Sequence, residues 1–456
     1  MSSSFNGSTV IVGGGISGLA AAYELRRAGL PYIIVERRGR AGGVIETRRV
    51  DGCVVEGGPD SFLSQKPEAL GLIKELGLED EVIGSNDQTR ITYILRHGRL
   101  VEMPEGIQMI APSRVWPMLK TPLVGWRTKL GMAAEMLRRP RRYPDRSVAD
   151  FVTDHFGKET LEYLAEPLLA GVYGGDPGQL SAASVLARFV EMEEKHGSLA
   201  RAAMKNQRKG ARAGALFQTL AGGLGKMVDR LSDGACFHWG EAQTIEREAN
   251  GYRVRVGDDW MRAQSVILAC PAWSASALVS ELDPALSARL AEIPYTSSAT
   301  AALGYRAAEF DGRAAGHGFL IPKKERGRMA ACTFVHEKFA HRAPEDRAVL
   351  RCFFGGAGDE GVLKESDEWI VETAREELRR ILGLTAAPAF SCVSRWPRSM
   401  AQYTVGHADR WKEIQWRAAA LPGVYLAGNG YTGIGIPDCI RMGRQAAEAA
   451  IRGGKG

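Results

Sequence analysis

No C-x-x-C pair occurs anywhere in this chain. Its seven cysteines (53, 236, 270, 332, 352, 392 and 439) are scattered and odd in number. That argues against a zinc or iron–sulfur site and for reduced thiols in a cytosolic compartment. No uncharged apolar run is long enough to cross a bilayer, so any membrane contact is predicted to be peripheral. The opening MSSSFNGS has neither a basic n-region nor an apolar core, and secretion is not expected. Charge of one sign is also scarce: 59 basic against 53 acidic residues leave +6, far from a nucleic-acid-binding tail, so no nucleic-acid partner is expected. G-x-S-x-G, H-E-x-x-H and paired carboxylates in an obvious motif are all missing. No metal site is expected, and no catalytic side chain either; the hard chemistry falls to a cofactor.

What is present begins at residue 9 with TVIVGGGISGLAAAYELRRAG. Gly13, Gly15 and Gly18 have G-x-G-x-x-G spacing after an apolar run, Val10–Val12, that suits a buried parallel strand. Ala21, Ala22 and Leu25 continue at helical spacing. Glycine at such a turn lets the backbone approach a pyrophosphate, and the helix N-terminus supplies free N–H donors and a positive dipole end. Glu36 closes the next apolar run, YIIVE, where an acid accepts a bond from a ribose hydroxyl. At 456 residues, 45% apolar and 25% charged, the chain reads as a globular protein of two or three domains.

The next segment separates a flavin from a nicotinamide. A second glycine pair, Gly42 and Gly43, follows Arg40; an apparent β-hairpin and a third turn, EGGPD, come next. A second close approach suits an extended FAD better than NAD, with a simple tight turn at Gly57 and Gly58 as the lesser alternative. Near the C-terminus, LPGVYLAGNGYTGIGIPDCIRMGRQAAEAAI reads as strand, glycine turn and amphipathic helix. Its N-terminus, near Pro437, would face the flavin ring and stabilise negative charge there. The two cofactor segments bracket the chain.

GGGISGLAAAYEL, ERRGRAGG, EGGPDSF, PRSMAQYTVGH and LAGNGYTGIGIPDCIRMGRQAA together resemble the flavin-dependent protoporphyrinogen and coproporphyrinogen oxidases of haem biosynthesis, within the amine-oxidase-like flavoproteins. The resemblance implies an α/β fold: an FAD-binding Rossmann-type domain built from residues 1–88, 212–290 and 395–456, a β-rich substrate domain from 89–100 and 291–394, and an inserted helical domain over 101–211. It also implies oxidation of a porphyrinogen to a porphyrin with O2 as acceptor and hydrogen peroxide as by-product.

Cofactor contacts are then expected at Gly13, Gly14, Gly15, Ile16, Ser17 and Gly18, and at Glu36, Arg37, Arg40, Gly42, Gly43 and Val44. Gly58, Pro59, Asp60 and Ser61 follow, then Gln243, and finally Gly428, Asn429, Ile434, Gly435 and Ile436. Tyr431-Thr432 is preceded by Gly430 and Asn429 rather than by the linking cysteine of monoamine oxidases, so the FAD is expected to be noncovalent. The resemblance puts Arg90 against a substrate propionate, with a solvated edge-strand arginine as the alternative. In GHGFLIP it puts the Gly318 carbonyl on the pyrrole N–H groups and Leu320 on the macrocycle face. His317 stands where eukaryotic members often carry Phe; an acid–base role and a plain surface histidine both stay open. Phe353 suits a pocket or a core strand.

Residues 101–211 carry Trp116, Met118, Leu119, Leu123, Val124 and Trp126 among Arg114, Lys120, Arg127 and Lys129, with Arg138, Arg139, Arg141 and Arg142 close behind. This composition suits either an interfacial membrane contact or an ordinary helical domain with a basic face. Lys195–Arg212, with six Lys/Arg and no acid, is expected to be a mobile loop. The membrane-like insert tilts the substrate towards protoporphyrinogen IX; coproporphyrinogen III, with four propionates, would need further bases such as Arg48, Arg49, Arg96 or Lys323. A ferrochelatase partner and a homodimer are compatible with the resemblance. Competing readings are an FAD amine oxidase, a carotenoid desaturase and a non-catalytic binder like the Rab escort proteins.

Overall fold

The computed structural model describes residues 6–108, 110–112, 114–207 and 215–454. Val10, Ile11 and Val12 have no polar side chain to solvate, and they form the buried centre of the strand Asn6–Val12. That strand pairs in parallel with Tyr32–Glu36 on one side and with Asp259–Leu268 on the other. Phe237–Trp239 extends the sheet beyond Tyr32–Glu36. Asp259–Leu268 also takes Val424–Leu426 in parallel and Gly251–Val256 antiparallel, the latter continuing to Ala242–Glu248. One sheet therefore unites strands from the start, middle and end of the chain. Buried on both faces, its parallel strands read as continuous apolar runs rather than alternations.

Two helices cover this sheet together. The opening helix, Ile16–Arg27, packs small residues against the closing helix, Ile436–Gly453. A β-carbon on Gly443 would lie 2.1 Å from the Ser17 carbonyl oxygen, so glycine is what allows the two backbones to approach.

A second sheet runs Phe390–Ala401, Tyr295–Arg306, Arg347–Gly355, Met329–Phe334, Gly318–Leu320, Thr92–Arg96, Arg99–Glu102. The last two form the expected hairpin, with His97 and Gly98 both at positive φ in its turn. Strand Phe390–Ala401 is antiparallel to Tyr295–Arg306 throughout. Residues 395–401, expected with the closing cofactor segment, thus belong to the second sheet. Its far face packs on helix Asp367–Leu382, enclosing Phe319, Cys332 and Cys352.

The helical insert packs on the second sheet through helix Glu166–Tyr173 and has its own core, which includes Phe151, Phe156 and Leu164. At its centre His155 gives one ring nitrogen to Glu135 and the other to Glu193, both at 2.9 Å. Leu199–Gln207 is a helix whose first backbone N–H groups bond Glu135, so the loop expected from Lys195 is ordered as far as Gln207. Residues 208–212 of that stretch lie outside the described residues. No helix among the described residues is long and apolar enough to cross a membrane.

Candidate active site

The first glycine turn is shaped for a close visitor. A β-carbon on Gly13 would meet the Ala269 carbonyl oxygen at 2.7 Å, and one on Gly18 would meet the Gly13 carbonyl oxygen at 1.9 Å. A β-carbon on Gly15 would come no closer than 4.0 Å to its facing neighbour, the Gly43 α-carbon. The space before Gly15 is open, and the Ile16–Arg27 helix begins there. Gly42 bridges to Gly15 and donates its N–H to the Gly14 carbonyl at 2.8 Å. The two glycine pairs, apart in sequence, are thus one surface.

Glu36 is buried at the end of its strand. One carboxylate oxygen takes the Gly14 N–H at 2.7 Å and the other the Arg38 N–H at 2.8 Å. Arg40 spends its guanidinium on the Ala41, Gly43 and Ile45 carbonyls, bracing the Gly42–Val44 turn. Arg37 lies over the Trp273 ring and pairs with Glu241. Gln243 is exposed at a bulge between Ala242 and Thr244.

EGGPD is no simple turn. Neither Gly57 nor Gly58 has positive φ; both are glycines because neighbours press on them, Ser394 on one and the Val44 carbonyl on the other. The Gly57 carbonyl accepts from Trp396, Thr300 and Arg351 at 2.8, 2.9 and 3.2 Å, which docks the loop on the second sheet. Asp60 pairs with Lys338 at 3.0 Å and shares a hydrogen from Ser61. Burial opposes its ionisation, but Lys338 and Arg351 outweigh it and hold the carboxyl far below the usual range.

The C-terminal turn completes the cradle. Gly435 precedes the closing helix in extended conformation, so the free N–H groups of Ile436 and its neighbours face the same region. Gly433 has φ +121, and a β-carbon there would strike the Asp438 carboxylate. Asp438 pairs with Lys66 at 2.5 Å. The Tyr403 hydroxyl bonds the Asn429 carbonyl and the Gly433 N–H, while His407 stacks on Tyr403 and bonds the Tyr431 carbonyl at 2.8 Å. The motif PRSMAQYTVGH is therefore the clasp on this loop. Sequence reading found the motif but not Tyr403, His407, Lys66 or Asp438, whose partners are up to 372 positions away.

Opposite the cradle stands the near face of the second sheet. Phe353 is half-buried under the Arg351 guanidinium on this face, not in the core. Leu320 approaches helix Glu166–Tyr173 within 3.7 Å of a β-carbon built on Gly171, and Val172 on that helix is 47% exposed. Tyr173 is pushed up to about 12 by burial, with Asp438 adding to it, so its hydroxyl stays neutral. Arg90 follows the turn Asp87–Thr89; its side chain is 48% exposed and lies 4.0 Å from Asp87. His317 is buried rather than on the surface, which removes the plain surface alternative.

The wall is largely apolar, and its ionisable groups are paired or held neutral. Such a wall can orient an apolar, reducing organic molecule against a redox ring.

Residues 16–451 match the family described as flavin containing amine oxidoreductase. The coproporphyrinogen III oxidase of Bacillus subtilis (strain 168) is 36% identical over 461 residues, covering 97% of each chain. That of Propionibacterium freudenreichii is 31% identical, covering 97% of this chain and 90% of its own. A crystal structure from Exiguobacterium sp. 255-15 superposes with a TM-score of 0.86 at 31% identity, covering 98% of this chain and all of the other. A match that starts in the opening helix and ends in the closing one spans both halves of the cradle, and this chain belongs to the flavin containing amine oxidoreductases.

Proposed function

We propose that this chain oxidises coproporphyrinogen III to coproporphyrin III, using noncovalently held FAD and dioxygen and releasing hydrogen peroxide. The observation that carries this reading is the end-to-end likeness to relatives named coproporphyrinogen III oxidase. It outweighs the tilt towards protoporphyrinogen IX. The open space before Gly15, the buried Glu36 carboxylate and the helix N-terminus at Ile436 fit a dinucleotide bearing a redox ring. When bound, a flavin supplies a hydride acceptor that dioxygen can reoxidise.

The chain's own part is binding and orientation. Val172, Leu320 and Phe353 exclude water from an apolar macrocycle. Arg48, Arg49 and Arg96 are spent on Glu46, the Gly222 carbonyl and the Pro122–Glu159 pair. Arg90, only loosely paired with Asp87 at 4.0 Å, and Lys323 are then the cations for substrate carboxylates. The insert also presents Trp116, Leu119, Trp126, Leu130 and Leu137 as exposed apolar side chains beside Lys120 and Lys129. Met118, Leu123 and Val124 are buried, so the lipid-facing patch is narrower than composition implied.

The test compares initial rates of porphyrin fluorescence from coproporphyrinogen III and protoporphyrinogen IX in air, with peroxide measured alongside. Faster oxidation of coproporphyrinogen III with matching peroxide supports the proposal. Preference for protoporphyrinogen IX overturns the substrate, and inertness of the flavin-loaded protein towards both overturns the reaction.

A further inference from the structure

The segment Gly316-His317-Gly318 is built to bring one side chain inward. Gly316 and Gly318 both have positive φ, +100 and +132. A β-carbon on Gly316 would lie 2.5 Å from the Ile91 carbonyl oxygen, and one on Gly318 would lie 2.0 Å from the Cys332 carbonyl oxygen. Two such glycines let the backbone press against its neighbours while His317 alone carries a side chain.

That side chain grips the turn before the Thr92–Arg96 strand. His317 Nε2 sits 2.9 Å from the Asn86 carbonyl oxygen, and the His317 backbone N–H donates to the Ile91 carbonyl at 2.8 Å. The turn Asn86–Ile91 is thus held at both ends by one residue, and Arg90 projects from between them. Asn86 is tied on its other side to the Lys338 carbonyl at 2.9 Å. Burial keeps the ring neutral against the Asn86 carbonyl and Asp87, which favour its charged form, and Lys338 and Arg90 reinforce the neutral state. A neutral ring with Nε2 against a carbonyl must carry its hydrogen there.

We propose that His317 is a positioning residue for Arg90: by donating Nε2–H to the Asn86 carbonyl, it fixes the turn that aims the guanidinium at a substrate carboxylate. This rests on the assignment of Arg90 under the proposed function. His317 is assigned no proton transfer, because its one free-hydrogen position is spent on the backbone. Removing the donor frees one end of the turn, and Arg90 then pays an ordering cost on binding.

The test is a double-mutant cycle in the flavin-loaded full chain, with coproporphyrinogen III as the probe. His317→Phe is expected to raise KM about tenfold, the size of one lost polar contact, with kcat and flavin content kept. His317→Gln, which restores an N–H donor, is expected to recover most of that loss. In an Arg90→Ala background His317→Phe should add nothing further. A fall in kcat at unchanged KM, or equal effects with and without Arg90, overturns the positioning role. Normal KM in Arg90→Ala alone would instead overturn the Arg90 assignment, and a thermal melt of His317→Phe separates both from a folding defect.

Discussion

Tyr403 gives its hydroxyl hydrogen to the Asn429 carbonyl oxygen at 2.8 Å, across a gap of 26 residues. The Tyr403 hydroxyl oxygen in turn accepts the Gly433 N–H at 2.7 Å. One phenol therefore cinches the glycine loop that leads into the closing helix. Tyr403→Phe leaves both backbone groups without this partner, at a cost of about 1–3 kcal/mol. Flavin affinity, measured by quenching of its fluorescence on titration, is expected to fall roughly tenfold or more. Unchanged affinity would show that the loop holds its shape without the clasp.

Gly15 and Gly18 should respond differently to a side chain. Gly18→Ala drives a methyl onto the Gly13 carbonyl oxygen, and overpacking of this kind costs about 1–3 kcal/mol. The apo protein's melting temperature should drop. Gly15→Val meets open space in the protein, so the apo melt should barely move while bound flavin, read by absorbance, disappears. Stoichiometric flavin in Gly15→Val would refute the placement of the phosphates.

His155 gives the helical insert a pH dependence of known sign. Burial alone would lower the pKa of its ring, but Glu135 and Glu193 outweigh it and the pKa is raised. The stabilisation is complete below the unfolded value near about 6.5 and is lost as pH rises through the folded pKa. His155→Gln leaves the buried Glu135 carboxylate without its cation, while Glu193 keeps Arg146 at 2.6 Å, and should cost about 3–5 kcal/mol. The loss should shrink towards alkaline pH. Parallel melting curves for the two proteins across that range would contradict this account.

The exposed Trp116 and Trp126 are each paired with a lysine ammonium, 5.0 and 4.7 Å from the ring. Apolar rings beside cations favour an anionic lipid surface. The protein is expected to cosediment with vesicles containing phosphatidylglycerol and to be released by salt. Substituting both tryptophans by serine should abolish cosedimentation without changing porphyrinogen oxidation in detergent-free buffer. Equal sedimentation of the two proteins would exclude the patch.

What could be read in advance followed how local the cause was. Gly13 to Gly18, Glu36 and the helix from Ile436 announce themselves because spacing within a few residues dictates turn, strand and helix. The hairpin around His97 and Gly98 was legible for the same reason. The buried Glu56–Arg342 pair was not: its members stand 286 positions apart, and only the fold shows that Arg342 also bonds Thr219. His317 looked like a surface histidine because flanking glycines usually mark exposed turns. Here they serve close packing instead. Likewise the aliphatic residues between Trp116 and Trp126 could not be divided by composition into those that face outward and those that fill the insert.

The strand Asp259–Leu268 receives Asn6–Val12 along one edge and Val424–Leu426 along the other. The first glycine turn and its opposite wall are thus supplied by segments far apart in the chain, around Gly15 and Gly435. The opening helix alone makes half a cradle, and its Ser17 and Ala20 pack on Gly443 of the closing one. A ligand held by both segments therefore ties them together, and its binding stabilises their docking.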